Sequence, residues 1–261
     1  MGGNEMLVMS IARIIYAIAV VGLVIGLMRL GYFWLGRGSL PPIDATPDRA
    51  LSFGYKCAWL AVPSDSVVPV CDALSQADPR FSTAIYQPCN WASGMGRVHA
   101  NFRNSEVFIT PPIKGWVLVY NWSPSDGDEL GTFQRVLGAL SARFGRAAAF
   151  GSYRGVGAVS WALADEGILQ RAFAEVDGST LVDFGEPMLV EQQLGLRTMA
   201  QIGELLDDHA DTSQVDEDTL FDQLADESTV IHLAGRWSID PSTLDTHEKL
   251  GVGRLARPSR R

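Results

Sequence analysis

The chain is poor in the residues that most often announce a chemistry. Its 261 residues include three cysteines and four histidines. Cys57, Cys71 and Cys89 form no C-x-x-C pair, and no histidine stands at zinc-finger spacing, which argues against a structural zinc site. The odd count argues against a closed disulfide framework and leaves room for one bridge in an oxidising compartment. Cys57 in an expected strand and Cys71 on an expected helix, both among apolar neighbours, read instead as buried free thiols.

Nucleotide and hydrolase motifs are also missing. There is no Walker loop. Gly251-Val252-Gly253-Arg254-Leu255-Ala256 has the G-x-G-x-x-A spacing, but Pro258 leaves no place for the helix and the distant acid that a dinucleotide needs. In Gly151-Ser152-Tyr153-Arg154-Gly155 the serine comes one place too early for a nucleophile elbow, and a strand follows where a helix should. Asp207-Asp208-His209-Ala210-Asp211 lacks the glycine and the closing glutamate of an EF-hand. No cofactor and no metal is expected. Cys89, His99 and Asp126 are the members a hydrolase site could draw on, but no orienting group or oxyanion hole stands out beside them.

One long apolar run carries no charge. Residues 14–28 read IIYAIAVVGLVIGLM. As a helix they rise about 22 Å, and the apolar flanks extend them toward the ~30 Å of a bilayer core. Arg13 and Arg29 bracket the run, each placed to reach its own interface, and Tyr32, Phe33 and Trp34 follow at the aromatic-belt position. No A-x-A site follows, so the run reads as an uncleaved single-pass anchor in a bacterial inner membrane. Arg29, Arg37 and Arg49 on its C-terminal side favour a cytoplasmic domain slightly over a periplasmic one.

The remainder is acidic. Formal net charge is −9 overall, and beyond residue 45 there are 18 basic against 28 acidic side chains. Such a field repels nucleic acid and suits a basic protein partner or plain solubility. The acids concentrate between residues 204 and 227, where ten of them, including Asp207, Asp208, Asp211, Asp216, Glu217 and Asp218, stand without a lysine or arginine. That stretch is the candidate partner-binding surface.

Periodicity gives an α+β domain, mainly an antiparallel sheet with packed helices, behind the transmembrane helix. The expected organisation is an anchor at 1–38, an extended structureless Pro-rich linker at 39–50, a globular domain at 51–245 and a basic tail at 246–261 whose end, LARPSRR, is frayed. Residues 55–62 read as a strand, followed by a helix capped at Ser64 or Asp65. Residues 80–104 read as loop with short strands. Residues 106–110 form a strand, and GWVLVYNW at 115–122 a central, doubly covered one. A helix runs from Ser125 or Asp126 to about Phe144, burying Phe133, Val136, Leu137 and Leu140. Four strands then alternate with Arg154-Gly155, Glu166-Gly167 and Asp177-Gly178, as in an antiparallel meander. Helices follow, one with Pro187 in its first turn and one or two over 217–237. Trp59…Pro63-Ser64-Asp65 and Trp116…Pro124-Ser125-Asp126 suggest two strand–helix–strand units sharing one sheet.

FITPPIKGWVLVYNW, then FGSYRGVGAVSWALADEGILQRAFAEVDG, FGEPMLVEQQLGL and LAGRWSIDP resemble a poorly characterised bacterial family. Its members pair a T-P-P-x-x-G-W-V-L strand with a W…G-x-L-x-R-A-F hairpin, over about residues 51–245 here. Proteins of this appearance resemble the immunity proteins that neutralise bacterial toxins. The resemblance implies a non-enzymatic protein that occludes a protein partner; it carries over no catalytic residue. An envelope hydrolase and a membrane scaffold subunit are the alternatives.

Overall fold

In the computed structural model the chain divides into two units, Met1–Leu40 and Pro41–Arg261. The described residues are 40–100, 106–125, 127–208, 221–245 and 247–258, with Asp207 and Asp208 by backbone alone. The expected membrane segment and its anchors Arg13, Arg29, Tyr32 and Trp34 lie outside them. Among the described residues no helix is long and apolar enough to cross a membrane.

The second unit is α+β. Its elements are β1 (Cys57–Pro63), α1 (Val67–Ala77), β2 (Tyr86–Cys89), α2 (Trp91–Ala100), β3 (Val107–Ile109), β4 (Trp116–Tyr120), α3 (Glu129–Phe144), β5 (Arg146–Tyr153), β6 (Ala158–Asp165), β7 (Ile168–Val176), β8 (Ser179–Phe184), α4 (Leu189–Leu194), α5 (Met199–Asp208), α6 (Glu227–Trp237) and β9 (Gly253–Ala256). The strands form one nine-stranded sheet in the order β2-β9-β3-β4-β1-β5-β6-β7-β8. Every neighbouring pair is antiparallel.

At its centre two units interlock. The chain leaves β1 through α1 and returns beyond β4 as β3; it leaves β4 through α3 and returns beyond β1 as β5. With β2 and α2 inserted in the first unit, this is the split βαβ, ferredoxin-like pattern. The paired Trp…Pro-Ser-Asp signals mark its two helix-bearing strands, which align Trp59 with Tyr120 and Pro63 with Trp116.

The sheet's two faces differ in kind. Beneath α1 and α3 the strands present small residues, Ala147, Ala149, Ala162, Ala164 and Ala172, so α3 lies close with Phe133, Val136, Leu137 and Leu140 buried. The opposite face, under α2 and α6, is aromatic: Trp59, Phe108, Phe150, Trp161 and Phe173 from the strands meet Trp91 and Trp237 from the helices. Central β4 sends Val117 and Val119 to the first core and Leu118 and Tyr120 to the second, as an apolar run covered on both sides requires. The meander is present. Glu166 and Gly167 (φ 48° and 89°) and Asp177 and Gly178 (φ 50° and 74°) turn through positive φ, the geometry of two-residue hairpins.

Four expectations are corrected. Residues 80–104 contain helix α2, which buries Trp91, Met95 and Val98. Two glycines had disguised it, and Gly94 is there because a Cβ would lie 2.2 Å from the Phe108 ring. Within the basic tail, β9 sits inside the sheet, pairing with β2 and β3; residues 259–261 lie outside the described residues. Arg257 beyond it donates to the buried Glu106 carboxylate, which also takes Arg97. Its Gly253 serves close packing, since a Cβ would come 2.5 Å from the Ile109 carbonyl.

The linker is extended yet docked along α2. Asp48 accepts from the Trp91 and Ala92 amides at 2.7 and 2.8 Å and caps that helix, and Thr46 accepts from Asn90 Nδ2 at 2.9 Å. Helix starts also move. α1 begins after Ser66, α3 after Asp128 and α4 after Met188, so Pro187 precedes its helix. Pro69 is tolerated in α1 because it falls in the first turn, whose amides have no intrahelical partner.

Candidate functional site

The largest concavity described opens at one end of the sheet, where β1 and β6 begin and β4, β5 and β7 end. It encloses about 580 Å³. Strand register makes its floor. Ala58 pairs with Gly151, Gly151 with Ser160 and Ser160 with Ala174, a row of small residues across four strands. Gly151 has to be glycine: a Cβ would lie 2.7 Å from Ser160 Oγ and 3.3 Å from Ala58 Cβ. Ser123, Pro124 and Glu129 line one wall, so α3 starts at the cavity's border. Tyr153 and Leu181, 53% and 54% exposed, line it from the β5 and β8 ends.

The polar groups here sit in a dry setting. Glu175 is 6% exposed, and its Oε2 is buried without a hydrogen-bond partner. Burial pushes its carboxyl up from the usual value, against a hydrogen bond from Thr180 that lowers it. The Tyr120 hydroxyl and His99 Nε2 share a hydrogen bond at 2.8 Å. Burial, with the nearby Cys57 sulfur, pushes the Tyr120 phenol up. Burial pushes the Cys57 thiol up to about 12, with Glu227 adding to the effect and a Gly54 backbone hydrogen bond opposing it. Ser152 Oγ donates to the Gly54 carbonyl at 3.4 Å.

The residues nominated from sequence are not brought together. Cys89 ends β2 ahead of α2, and His99 sits in that helix's last turn. The eight helical steps from Trp91 to His99 span about 12 Å along the axis, too far for a dyad. Burial also pushes the Cys89 thiol up to about 12. Asp126 lies outside the described residues, as do Asp211, Asp216, Glu217 and Asp218. Asp207 and Asp208 end the backbone of α5. Arg197 lies just ahead of α5, and Gln223, within the acidic stretch, holds it through backbone and side chain at 3.0 and 2.6 Å. All three cysteines are free and buried. Among the described residues no group of three potential ligands is placed to hold a metal ion.

A second polar cluster has a different character. Arg171, Glu191 and Trp161 are all buried. Glu191 Oε1 accepts from Arg171 Nε and Trp161 Nε1, both at 2.9 Å, and Oε2 accepts from the Met188 amide at 2.8 Å. Arg171 Nη1 also donates to Asp183 and to the carbonyls of Phe184 and Gly185. Phe173 stacks on Trp161 at 4.5 Å. These bonds fasten β8 and α4 onto β7. The cluster is built from the hairpin pattern on which the family resemblance rests, and its satisfied geometry is that of a structural clamp. Sequence reading missed the cavity because no single segment carries it: Ala58 and Ala174 share one row only through the register of four strands.

No family model, no curated protein and no solved structure matches this chain, so the geometry at this end of the sheet is what points to function.

Proposed function

We propose that this is a membrane-tethered, non-enzymatic binding protein of the immunity type, which occludes a protein partner at the cavity end of its sheet. The observation that carries the reading is the cavity itself: an apolar, small-floored concavity with half-exposed Tyr153 and Leu181 at its border. A pocket with apolar walls and few polar groups, ringed by aromatic and aliphatic side chains, is the usual receptor for a partner's anchor residue. The groups available for chemistry are occupied or muted. Ser152 donates to a carbonyl, His99 is held by Tyr120, and burial pushes the Cys57 thiol up to about 12. The apolar run at 14–28 supports tethering, and the arginines that follow it favour a cytoplasmic domain.

Site-specific photocrosslinking of the full chain in its native cell tests this. A photoreactive phenylalanine replaces Tyr153 or Leu181 at the cavity, and Ile85, 83% exposed beside edge strand β2, is the control. One protein adduct from both cavity positions and none from Ile85 is the expected result. Equal adducts from all three positions, or none from the cavity, refutes the reading.

A further inference from the structure

The end of the sheet that carries the cavity is also the end at which the N-terminal chain arrives. Residues 41–48 run beside α2 in the opposite direction. Asp48 caps the first amides of that helix, the Asp44 amide donates to Ser93 Oγ at 3.0 Å, and the Pro41 carbonyl accepts from Arg97 Nη1 at 3.4 Å. Val98 and His99, the next residues of α2, line the cavity. The same end gathers half-exposed apolar side chains. Tyr153 and Leu181 line the cavity, Tyr55 stands two residues ahead of β1, and Val156 lies in the turn between β5 and β6.

Resting on the binding and tethering readings above, we propose that the partner held here is itself embedded in the membrane and is gripped at a segment beside the bilayer. The length of chain ahead of the domain carries the argument. Trp34 closes the aromatic belt read from the sequence, and Pro41 follows seven residues later. Seven residues reach at most about 25 Å, so the root of the tether stays within that distance of the bilayer. A small globular domain is about 30 Å across and does not fit in that gap, whereas a juxtamembrane segment does. Half-exposed tyrosines beside aliphatic side chains suit such a segment, which is itself amphipathic at headgroup level. Lipid is the weaker occupant. Beyond residue 45 the chain has 18 basic against 28 acidic side chains, and an anionic leaflet repels that charge.

The test repeats the photocrosslinking in the native cell with two full-length chains, one of which carries about thirty Gly/Ser residues inserted between Gly38 and Ser39. Lengthening the tether from seven to about thirty-seven residues lowers the effective concentration of a membrane-embedded partner about tenfold, by the −3/2 power of length. Equal urea midpoints in the two chains show that the domain is undisturbed by the insertion. The expected adducts at Tyr153 and Leu181 map by mass spectrometry to a juxtamembrane segment of a protein with its own membrane span, and their yield per chain falls about tenfold with the insertion. An adduct with a soluble protein, or one whose yield is the same in both chains, overturns this inference and keeps the binding site. Adducts with lipid alone, or none at either position, discard the binding site as well.

Discussion

Removing Glu191 is the sharpest probe of how the fold is held. The carboxylate is 3% exposed and accepts from Arg171 Nε, Trp161 Nε1 and the Met188 amide. In E191A all three donors lose their acceptor away from water. Breaking one side of a buried ion pair costs about 3–5 kcal/mol, and each stranded neutral donor about 1–3. Arg171 keeps Asp183 and the carbonyls of Phe184 and Gly185, so its charge is not orphaned and the loss should sit near the lower figure, about 3 kcal/mol. For a unit of this size that is roughly 6–12 °C in Tm. E191Q keeps one acceptor but turns an amide donor toward a donor, the Met188 N–H or Trp161 Nε1–H, and should cost less, about 1–3 kcal/mol. R171M should cost most, because it strands the buried Glu191 carboxylate and takes the donor from two carbonyls together. Urea unfolding of the full chain, with the slope unchanged, measures all three. A loss below about 1 kcal/mol in E191A, or R171M milder than E191Q, would refute the clamp.

Three further outcomes follow from single contacts. The folded state holds the Glu175 proton more tightly than the unfolded state, so stability should fall as pH rises from about 4.5 through the raised folded value, then flatten; urea midpoints across that window should show the slope in the parent and lose it in E175Q, and parallel slopes would contradict the assignment. In α2, G94A drives a methyl into the Phe108 ring and should destabilise by about 1–3 kcal/mol, whereas G96A meets nothing within 4 Å and should stabilise by up to about 1 kcal/mol; thermal melts that move the same way in both would be wrong for this packing. Burial pushes the thiols of Cys57, Cys71 and Cys89 up to about 12, so a maleimide at neutral pH should label them only after denaturant is added, and rapid labelling of the folded chain would show an accessible thiolate.

What was legible in the sequence is what local chemistry dictates. Glu166-Gly167 and Asp177-Gly178 mark hairpins because a two-residue turn needs positive φ at both positions, and the chain adopts it there. Phe133, Val136, Leu137 and Leu140 mark α3 because one apolar face recurs at helical spacing. Gly94 and β9 failed the same kind of reading for one reason. Gly94 lowers helix propensity in exchange for contact with Phe108, and β9 gains its stability from partners more than 140 residues away in β3. The Cys89–His99 pairing failed because a rigid helix separates two residues that a loop could have joined.

The clamp and the proposed site share strands β6, β7 and β8 but use different residues of them. Trp161, Gly167, Leu169, Arg171 and Phe173 carry the hairpin pattern, and Thr110, Gly115, Trp116 and Leu118 carry the strand pattern. The first set builds the clamp and the hairpin over α3. In the second, Thr110 Oγ1 accepts from the Leu118 amide at 2.9 Å inside the β3–β4 turn. None of these residues lines the cavity. Changes at the cavity border are therefore expected to alter which partner is held, and changes at the clamp to alter stability.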